Sequence, residues 1–557
     1  MKLGSQIFYS KNTEFEVTTN KVSIDTSRIS EGINDYMDLI VYRCKNHLIV
    51  YDRICDHNGG KLITNNGKTS CPLHGWDFDP SSGTYTNAEC MKQSLFDGYI
   101  EIGQIIEINL NSLRRNIENF NDQIDFDIRF LNHACLLITI PGLKFATDPW
   151  LLGSAFCNGW WLSHPSPSDA IHEVNSCDFI YISHNHPDHL NTDTLSHIRK
   201  DMPIITGNFT SNSTKNYLIE LGFEQVFSLD FNEKWLTYNQ SFAFSILKSG
   251  DFRDDSGLLL EIGNKTILFA VDSNFIDFWR FPKHIDLIAS SFAGGASGFP
   301  LCFDNYTHDE KERLVERNKK SIYTINKMLL KKIKPKIFLP YAGFFTESAN
   351  RDKYIANLNQ KNSIGDYLDI CTVLDIDLID PIATPIIKFQ NNDYLIQSHN
   401  ISSLNNEIPE IEISKNTSLL DLNEYEVVQY FENSRFFGEL DLLLIPTDDD
   451  FTQINKCFYV AFYKDKPPDV FINEPNNKRA NINFLEIKVR STELCKVIQR
   501  GLPWEDLSIG FQCRIYREPN VYNSRFWHYF TNIYVNKNVG KRSRNCSGCE
   551  LISQAIY

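Results

Sequence analysis

Short runs of apolar and β-branched residues set the element type at the start of the chain. Up to about residue 115, stretches such as "LIVYRC" (39–44) and "LIVYDRIC" (48–55) alternate with Gly and Asn turn residues, which predicts small antiparallel sheets and not helices. A second unit begins near "FDIRFLNHACLLITIPGLKFATDPW" (126–150), where two strand-like runs flank a Pro-Gly turn. "CDFIYIS" (177–183) reads as a buried strand, Asn191 or Thr192 can cap a short helix after it, and "PIITGNF" (203–209) reads as the next strand. "LLLEIGNKTILFAVD" (258–272) predicts a hairpin turning at Gly263 and Asn264, residues that tolerate positive φ. From Asp309 to Ile333, Leu314, Val315, Ile322, Ile325 and Leu329 follow mostly helical spacing, and Thr307 with Glu310 forms a possible capping box. Strands and helices thus interleave to about residue 390, as in an α/β layered domain. A polar passage, "NNDYLIQSHNISSLNNE" (391–407), marks a junction, and the remainder to Tyr557 carries no chemistry legible from spacing.

A chain of 557 residues exceeds the size at which one core keeps growing, so roughly three or four structural units are expected. Apolar content of 42% is that of a folded protein, and a formal charge of −15 argues against a nucleic-acid partner. The N-terminus lacks a basic start followed by an apolar core and a cleavage site, and no run approaches about 18 uninterrupted apolar residues. The expectation is a cytoplasmic protein without membrane association. Its 14 scattered cysteines do not form a secreted disulfide framework, and in a reducing compartment clustered cysteines more often bind metal.

Two clusters carry metal chemistry. In "CDHNGGKLITNNGKTSCPLHGWDFD", Cys55 and His57 stand two apart and Cys71 and His74 three apart, with 13 residues between the pairs. Paired Cys-His halves match a Rieske [2Fe–2S] centre, in which one iron takes two thiolates and the other two imidazoles. A structural zinc would accept the same ligands, but zinc fingers keep cysteines together and histidines together. Gly59, Gly60 and Gly75 suit tight ligand loops.

The second cluster is "SHNHPDHL" (183–190), in which His184, His186, Asp188 and His189 share one loop after a buried strand. The spacing resembles the metallo-β-lactamase superfamily, and Asp272, at the end of "ILFAVD", lies where that superfamily places a bridging carboxylate. A zinc hydrolase of that class would add later histidines. None stands between His197 and His284, where "GDFRDDSG" (250–257) offers Asp251, Asp254 and Asp255 instead. Imidazole and carboxylate ligands with open positions suit ferrous iron that binds dioxygen at least as well as zinc.

Longer strings carry a further resemblance. "DPWLLGSAFCNGWWLSHPSPSD" (148–169), "FAGGASGFP" (292–300), "PYAGFFTES" (340–348) and "WEDLSIGFQCRIYREPNVYNSRFWHYF" (504–530) resemble the CMP-N-acetylneuraminate hydroxylase family over almost the whole chain. The resemblance implies an α+β multidomain protein: an all-β Rieske domain (1–115), an αββα metallo-β-lactamase-like domain (120–395) and a C-terminal family-specific region (396–557). It further implies one or two non-haem irons, dioxygen as co-substrate and a CMP-sugar substrate. The electron donor would be of cytochrome b5 or ferredoxin type with its reductase. One departure stands out: where the family pattern reads "HPEMD", this chain has "FRDD" around Phe252, so a histidine is lost. Asp254 or Asp255 is expected to take that role in or beside the metal. The loss also keeps a related substrate open, either another nucleotide sugar or an amino-acid-derived metabolite, and a zinc hydrolase stands as the alternative from another class.

Weaker candidates complete the set. His133 in "NHAC" is either near the metal pocket or a satisfied core histidine. Trp160 and Trp161 could stack on a base but as a pair fit a core better. Gly294 and Gly295 could bring backbone amides to a phosphate. Arg129, Arg253 and Arg280 could clamp an anion, with solvated surface the simpler reading. Cys546 and Cys549 are a lone C-x-x-C in a tail expected to be disordered.

Overall fold

The computed structural model describes residues 1–531 except 37–38, 54, 57–61, 66, 72–75, 119, 121–122, 210–211, 232, 250–253, 274–275, 277–280, 399–401, 405–407, 418–421, 455 and 475–477. His57, His74, Phe252, Arg253, Arg280, Cys546 and Cys549 therefore lie outside the described residues.

Two large sheets packed face to face form the centre of the molecule. One has nine strands, running from Lys2–Leu3 and Gln6–Asn12 through Glu233–Thr237, Phe242–Lys248, Ser256–Ile262, Lys265–Val271 and Leu287–Ser291 to Ile337–Tyr341 and Asp377–Leu378. The other has eight, with Phe126–Asn132, Cys135–Ile140, Leu143–Thr147, Phe179–Tyr181 and Ile204–Gly207 among them. Their inner faces share one core, which includes Phe130, Phe145, Phe179 and Ile205 from one sheet and Phe244, Leu260, Phe269 and Leu287 from the other. Every residue of Ser256–Ile262 is buried, as expected of a strand covered on both faces; each fully buried Leu there contributes roughly 1.5–3 kcal/mol.

Helices cover both outer faces. His308–Ile333 packs Leu329 and Leu330 onto the nine-stranded sheet, and Thr307 and Glu310 form its capping box. Ala170–Asn175, Thr192–Ser196 and Ser213–Glu220 cover the eight-stranded sheet. Asn191 caps Thr192–Ser196, its Oδ1 accepting from Thr194 N at 2.9 Å. The 258–272 hairpin turns at Gly263, which takes φ +54°. This is the expected αββα sandwich.

The N-terminal unit consists of two four-stranded sheets and the Phe15–Asp25/Ile105–Arg115 ribbon. Residues 1–12 do not join it: Phe8 to Asn12 pair antiparallel with Thr237 to Glu233 and extend the central sandwich. The junction expected at 391–407 begins later than its polarity suggests, because Asp393–Gln397 still pairs with Ile386–Gln390 as an edge strand. The C-terminal region is a folded unit: a five-stranded sheet centred on Leu440–Thr447, packed with the helices Glu424–Glu432, Ser491–Arg500, Glu505–Ile509 and Ser524–Thr531. No helix among the described residues is long and apolar enough to cross a membrane.

The three parts touch one another. Ile322 and Ile325 of the long helix and Tyr522 of the C-terminal region pack against the core that holds Cys55 and Cys71. Asn158 of the sandwich donates to Glu493 of the C-terminal region at 3.1 Å.

Candidate metal centre

Strands Leu143–Thr147, Phe179–Tyr181 and Ile204–Gly207 run parallel, and ligand sites of α/β sheets sit beyond the carboxyl ends of such strands. Asp148 follows the first and the 183–190 loop follows the second. Asp272 follows Lys265–Val271, itself parallel to Leu287–Ser291 in the facing sheet. His133 stands in the turn between Phe126–Asn132 and Cys135–Ile140. Three of these turns use left-handed backbone: His133 at φ +45°, Asp148 at +36° and Val271 at +55°. For the β-branched Val271 this is strain of the kind that clusters at functional sites.

The side chains converge. His189 Nε2 lies 3.5 Å from Asp188 Oδ2 and 3.3 Å from Asp272 Oδ2. His133 Nε2 lies 3.2 Å from the same Asp188 oxygen. His184 Nε2 is 2.8 Å from His186 Nδ1. Two overlapping groups result, His133 with Asp188 and His189, and His184 with His189 and Asp272, each with ligand atoms within 4.8 Å of one another. His189 belongs to both.

A second layer orients the imidazoles. Asp148 Oδ2 faces His189 Nδ1 at 3.2 Å, and Asp148 is held by the amide of Ser183 at 2.7 Å. Asp255 Oδ1 lies 3.4 Å from His184 Nδ1, which also meets Ser183 Oγ at 2.9 Å. Both Nδ1 atoms thus face a carboxylate from behind, the placement that orients a metal-ligating imidazole. Burial opposes charge on His189, yet the carboxylates of Asp188 and Asp272 outweigh it and raise its pKa well above the usual imidazole value. Burial likewise opposes charge on Asp188, but His189 and His133 hold its carboxyl well below its usual value.

The donor set fits a metal. His133 Nδ1, Asp188 Oδ1 and His189 Nε2 are buried without a hydrogen-bond partner, which for polar atoms in a folded core calls for an explanation such as an ion. Nitrogen and carboxylate donors in two overlapping sets suit one or two irons.

Of the expected ligands, the structure brings His184, His186, Asp188, His189 and Asp272 together. It places His133, expected at most as a pocket residue, in one of the two candidate groups. Asp254 falls in neither group; the neighbouring Asp255 engages His184 from behind instead. Asp148 was not foreseen, since "DPW" reads as a turn and only the fold brings its carboxylate to His189. Trp160 and Trp161 are buried, at 1% and 4% exposure. Trp160 stacks on Phe345 at 3.6 Å and donates to the Ile509 carbonyl, so it belongs to the wall of the site and is not free to stack on a base; Trp161 lies beside it in the strand Trp160–Leu162. Gly294 and Gly295 both take positive φ, and the Gly295 carbonyl accepts from Asn359 at 3.0 Å. Arg129 is already engaged by both carboxylate oxygens of Asp169 and is no anion clamp.

In the Rieske unit, Cys55 and Cys71 are buried in one cluster with Trp76, Tyr85 and Cys90. Tyr85 donates to Asp56 Oδ2 at 2.8 Å. Lys92, its side chain 2% exposed, reaches Asp52 at 2.7 Å and Asp56 at 3.7 Å. Two buried thiols beside a buried ammonium are a setting that accommodates an anionic thiolate cluster.

The chain is similar to known proteins along most of its length. Residues 19–112 match the model of the Rieske [2Fe-2S] domain, and residues 127–252 that of a beta-lactamase superfamily domain. Among solved structures, CmlA, a diiron beta-hydroxylase from Streptomyces venezuelae, aligns at a TM-score of 0.33 and 17% identity over 50% of this chain and 55% of its own. Cytidine monophosphate-N-acetylneuraminic acid hydroxylase of Cricetulus griseus is 29% identical, covering 91% of this chain and 96% of its own. The enzyme of that name from Danio rerio is 30% identical over 555 residues, covering 91% of this chain and 92% of the relative. Since that identity runs through all three structural units, the chain belongs to the cytidine monophosphate-N-acetylneuraminic acid hydroxylase family.

Proposed function

We propose that this protein is an iron-dependent monooxygenase that hydroxylates the N-acetyl group of CMP-N-acetylneuraminate to give CMP-N-glycolylneuraminate. The observation that carries the reading is the coexistence, in one packed chain, of a Rieske unit and a buried histidine–aspartate pocket with two overlapping groups of candidate ligands. Cys55 and Cys71, with His57 and His74, would hold the [2Fe–2S] cluster; His184, His186, Asp188, His189, Asp272 and His133 would hold one or two irons. When bound, the cluster supplies electrons one at a time and the iron supplies dioxygen activation.

The chain's own groups do the rest. Asp148 and Asp255 fix the imidazoles of His189 and His184, so that the Nε2 atoms face the pocket. Trp150, Phe156, Trp160, Phe345 and Ile509 form an apolar wall beside it, which keeps water from a reactive centre. The substrate is held with its methyl group toward the histidines, and positioning of that kind supplies much of an enzyme's rate gain. An electron donor of cytochrome b5 or ferredoxin type would serve the Rieske unit, and the absence of any disulfide among the described cysteines fits work in the cytoplasm.

The test is iron and zinc content per chain of anaerobically purified protein, read beside the EPR spectrum after reduction. A Rieske signal with iron in excess of the cluster's own pair supports the oxygenase. The same signal with zinc filling the second site would favour a hydrolase.

A further inference from the structure

The chain is acidic as a whole, with a formal charge of −15, yet residues 317–336 hold eight lysines and arginines and no acidic residue. Most of them belong to the helix His308–Ile333. Along it Arg313, Arg317, Lys320, Thr324, Lys327 and Lys331 follow one another at steps of four, three, four, three and four, a spacing that puts all six on one helix face. The stripe is about 27 Å long at the helical rise. Arg313, Arg317, Lys320 and Lys331 are exposed and Lys327 is half-buried.

The apolar faces of the same helix are occupied. Leu329 and Leu330 pack on the nine-stranded sheet, Val315 joins the core of the C-terminal region, and Ile322 and Ile325 lie against the core that holds Cys55 and Cys71. The basic stripe therefore runs within about one helix diameter, roughly 10 Å, of the core that holds the cluster thiols. Glu316 pairs with Lys320 at 3.2 Å, but both side chains are open to solvent, at 44% and 72% exposure. Such a pair is worth at most about 1 kcal/mol, and a partner's carboxylate can replace it. A positive stripe on a negative protein selects an acidic partner and orients it, because the rest of the surface repels that partner. An anionic membrane would meet the same charges, but a helix lying in a membrane interface inserts an apolar face, and here those faces are covered.

We propose that the basic stripe of His308–Ile333 is the docking surface for a small acidic electron-transfer protein, which passes one electron to the Rieske unit and is itself oxidised. The inference rests on the reading under Proposed function, which requires such a donor, and it names where the donor sits: on the helix flank beside the Cys55 and Cys71 core.

The test uses full-length protein and the soluble, acidic haem domain of cytochrome b5 as the probe, without substrate, at about 10 mM ionic strength, where charges act over ~30 Å. Wild type is compared with R317E/K331E, with R317Q/K331Q, and with K283E/K415E, an equal charge change at exposed lysines outside the helix. R317E/K331E is expected to keep the wild-type thermal midpoint, Rieske EPR signal and reduction by dithionite, while binding the probe, and accepting its electron, about tenfold or more less well. R317Q/K331Q should lose less, K283E/K415E should match wild type, and about 1 M salt should erase the differences. Equal affinity in R317E/K331E and wild type, or an equal loss in K283E/K415E, overturns the inference. So does loss of binding to phosphatidylserine vesicles in R317E/K331E with probe affinity intact, which would make the stripe a membrane contact. If wild type docks the probe through the stripe but forms no hydroxylated product with CMP-N-acetylneuraminate, the proposed function fails and the docking surface stands.

Discussion

His133 Nε2 lies 3.2 Å from Asp188 Oδ2, joining residues 55 positions apart in the chain at one edge of the metal pocket. The contact places His133 in one of the two candidate ligand groups. H133A is expected to reduce iron in excess of the cluster and to lower turnover by roughly 10- to 100-fold while leaving the Rieske EPR signal intact. Full iron content in H133A would return His133 to the core.

Asp255 and Asp254 separate by position. Asp255 backs His184 at 3.4 Å and also accepts from Ser273 Oγ at 3.2 Å. D255N is expected to weaken iron binding about tenfold or more, as loss of an orienting carboxylate does, and D254N to change it little. Iron titration of the metal-free protein checks both, and a stronger effect in D254N would mean that the carboxylates exchange roles.

Lys92 bears on the cluster's potential. Its buried ammonium pairs with Asp52 and Asp56, and Asp56 adjoins Cys55. Replacing it by Met removes a positive charge beside Cys55, which disfavours the extra electron. The midpoint potential of K92M should fall by about 60 mV or more, the one-electron equivalent of ~1.4 kcal/mol. Redox titration of the EPR signal measures it, and an unchanged potential would show that Lys92 serves the fold alone.

Glu493 ties the C-terminal region to the sandwich. Its carboxylate, 0% exposed, meets Arg351 at 2.9 Å and Lys496 at 2.8 Å. E493Q strands the buried Lys496, whereas Arg351 keeps Asp449 at 3.0 Å, and should cost roughly 3 kcal/mol. Burial alone would raise Glu493, but Lys496 and Arg351 lower it below its ordinary value of 4.5. A depressed carboxyl stabilises the fold above its unfolded value and loses that contribution as pH falls through the folded one. Wild type should therefore lose stability below about pH 4.5, and E493Q should lose less over the same range. Thermal midpoints measured across that range decide it.

The parts of the site that were legible in the chain are those written locally. His184, His186, Asp188 and His189 share one loop, and Asp272 ends a strand whose pattern is plain. His133, Asp148 and Asp255 come from three other segments, and each gains meaning only when separate strand ends are brought together. The same holds for the fold. The Thr307–Glu310 capping box and the Gly263 turn follow from short-range rules, whereas the pairing of residues 8–12 with 233–237 is a choice of partner that no local pattern encodes. Leu440–Thr447 is buried along nearly its whole length, so it lacks the apolar–polar alternation that would have announced a strand.

The most direct measurement of the central claim is incubation of the iron-loaded protein with CMP-N-acetylneuraminate, a reduced electron donor and isotopically labelled dioxygen, followed by mass spectrometry of the nucleotide sugar. The account predicts a product heavier by one oxygen atom, located on the acyl group and derived from the gas. Recovery of unchanged substrate while the Rieske cluster is cycling, or a product whose new oxygen comes from water, would contradict it.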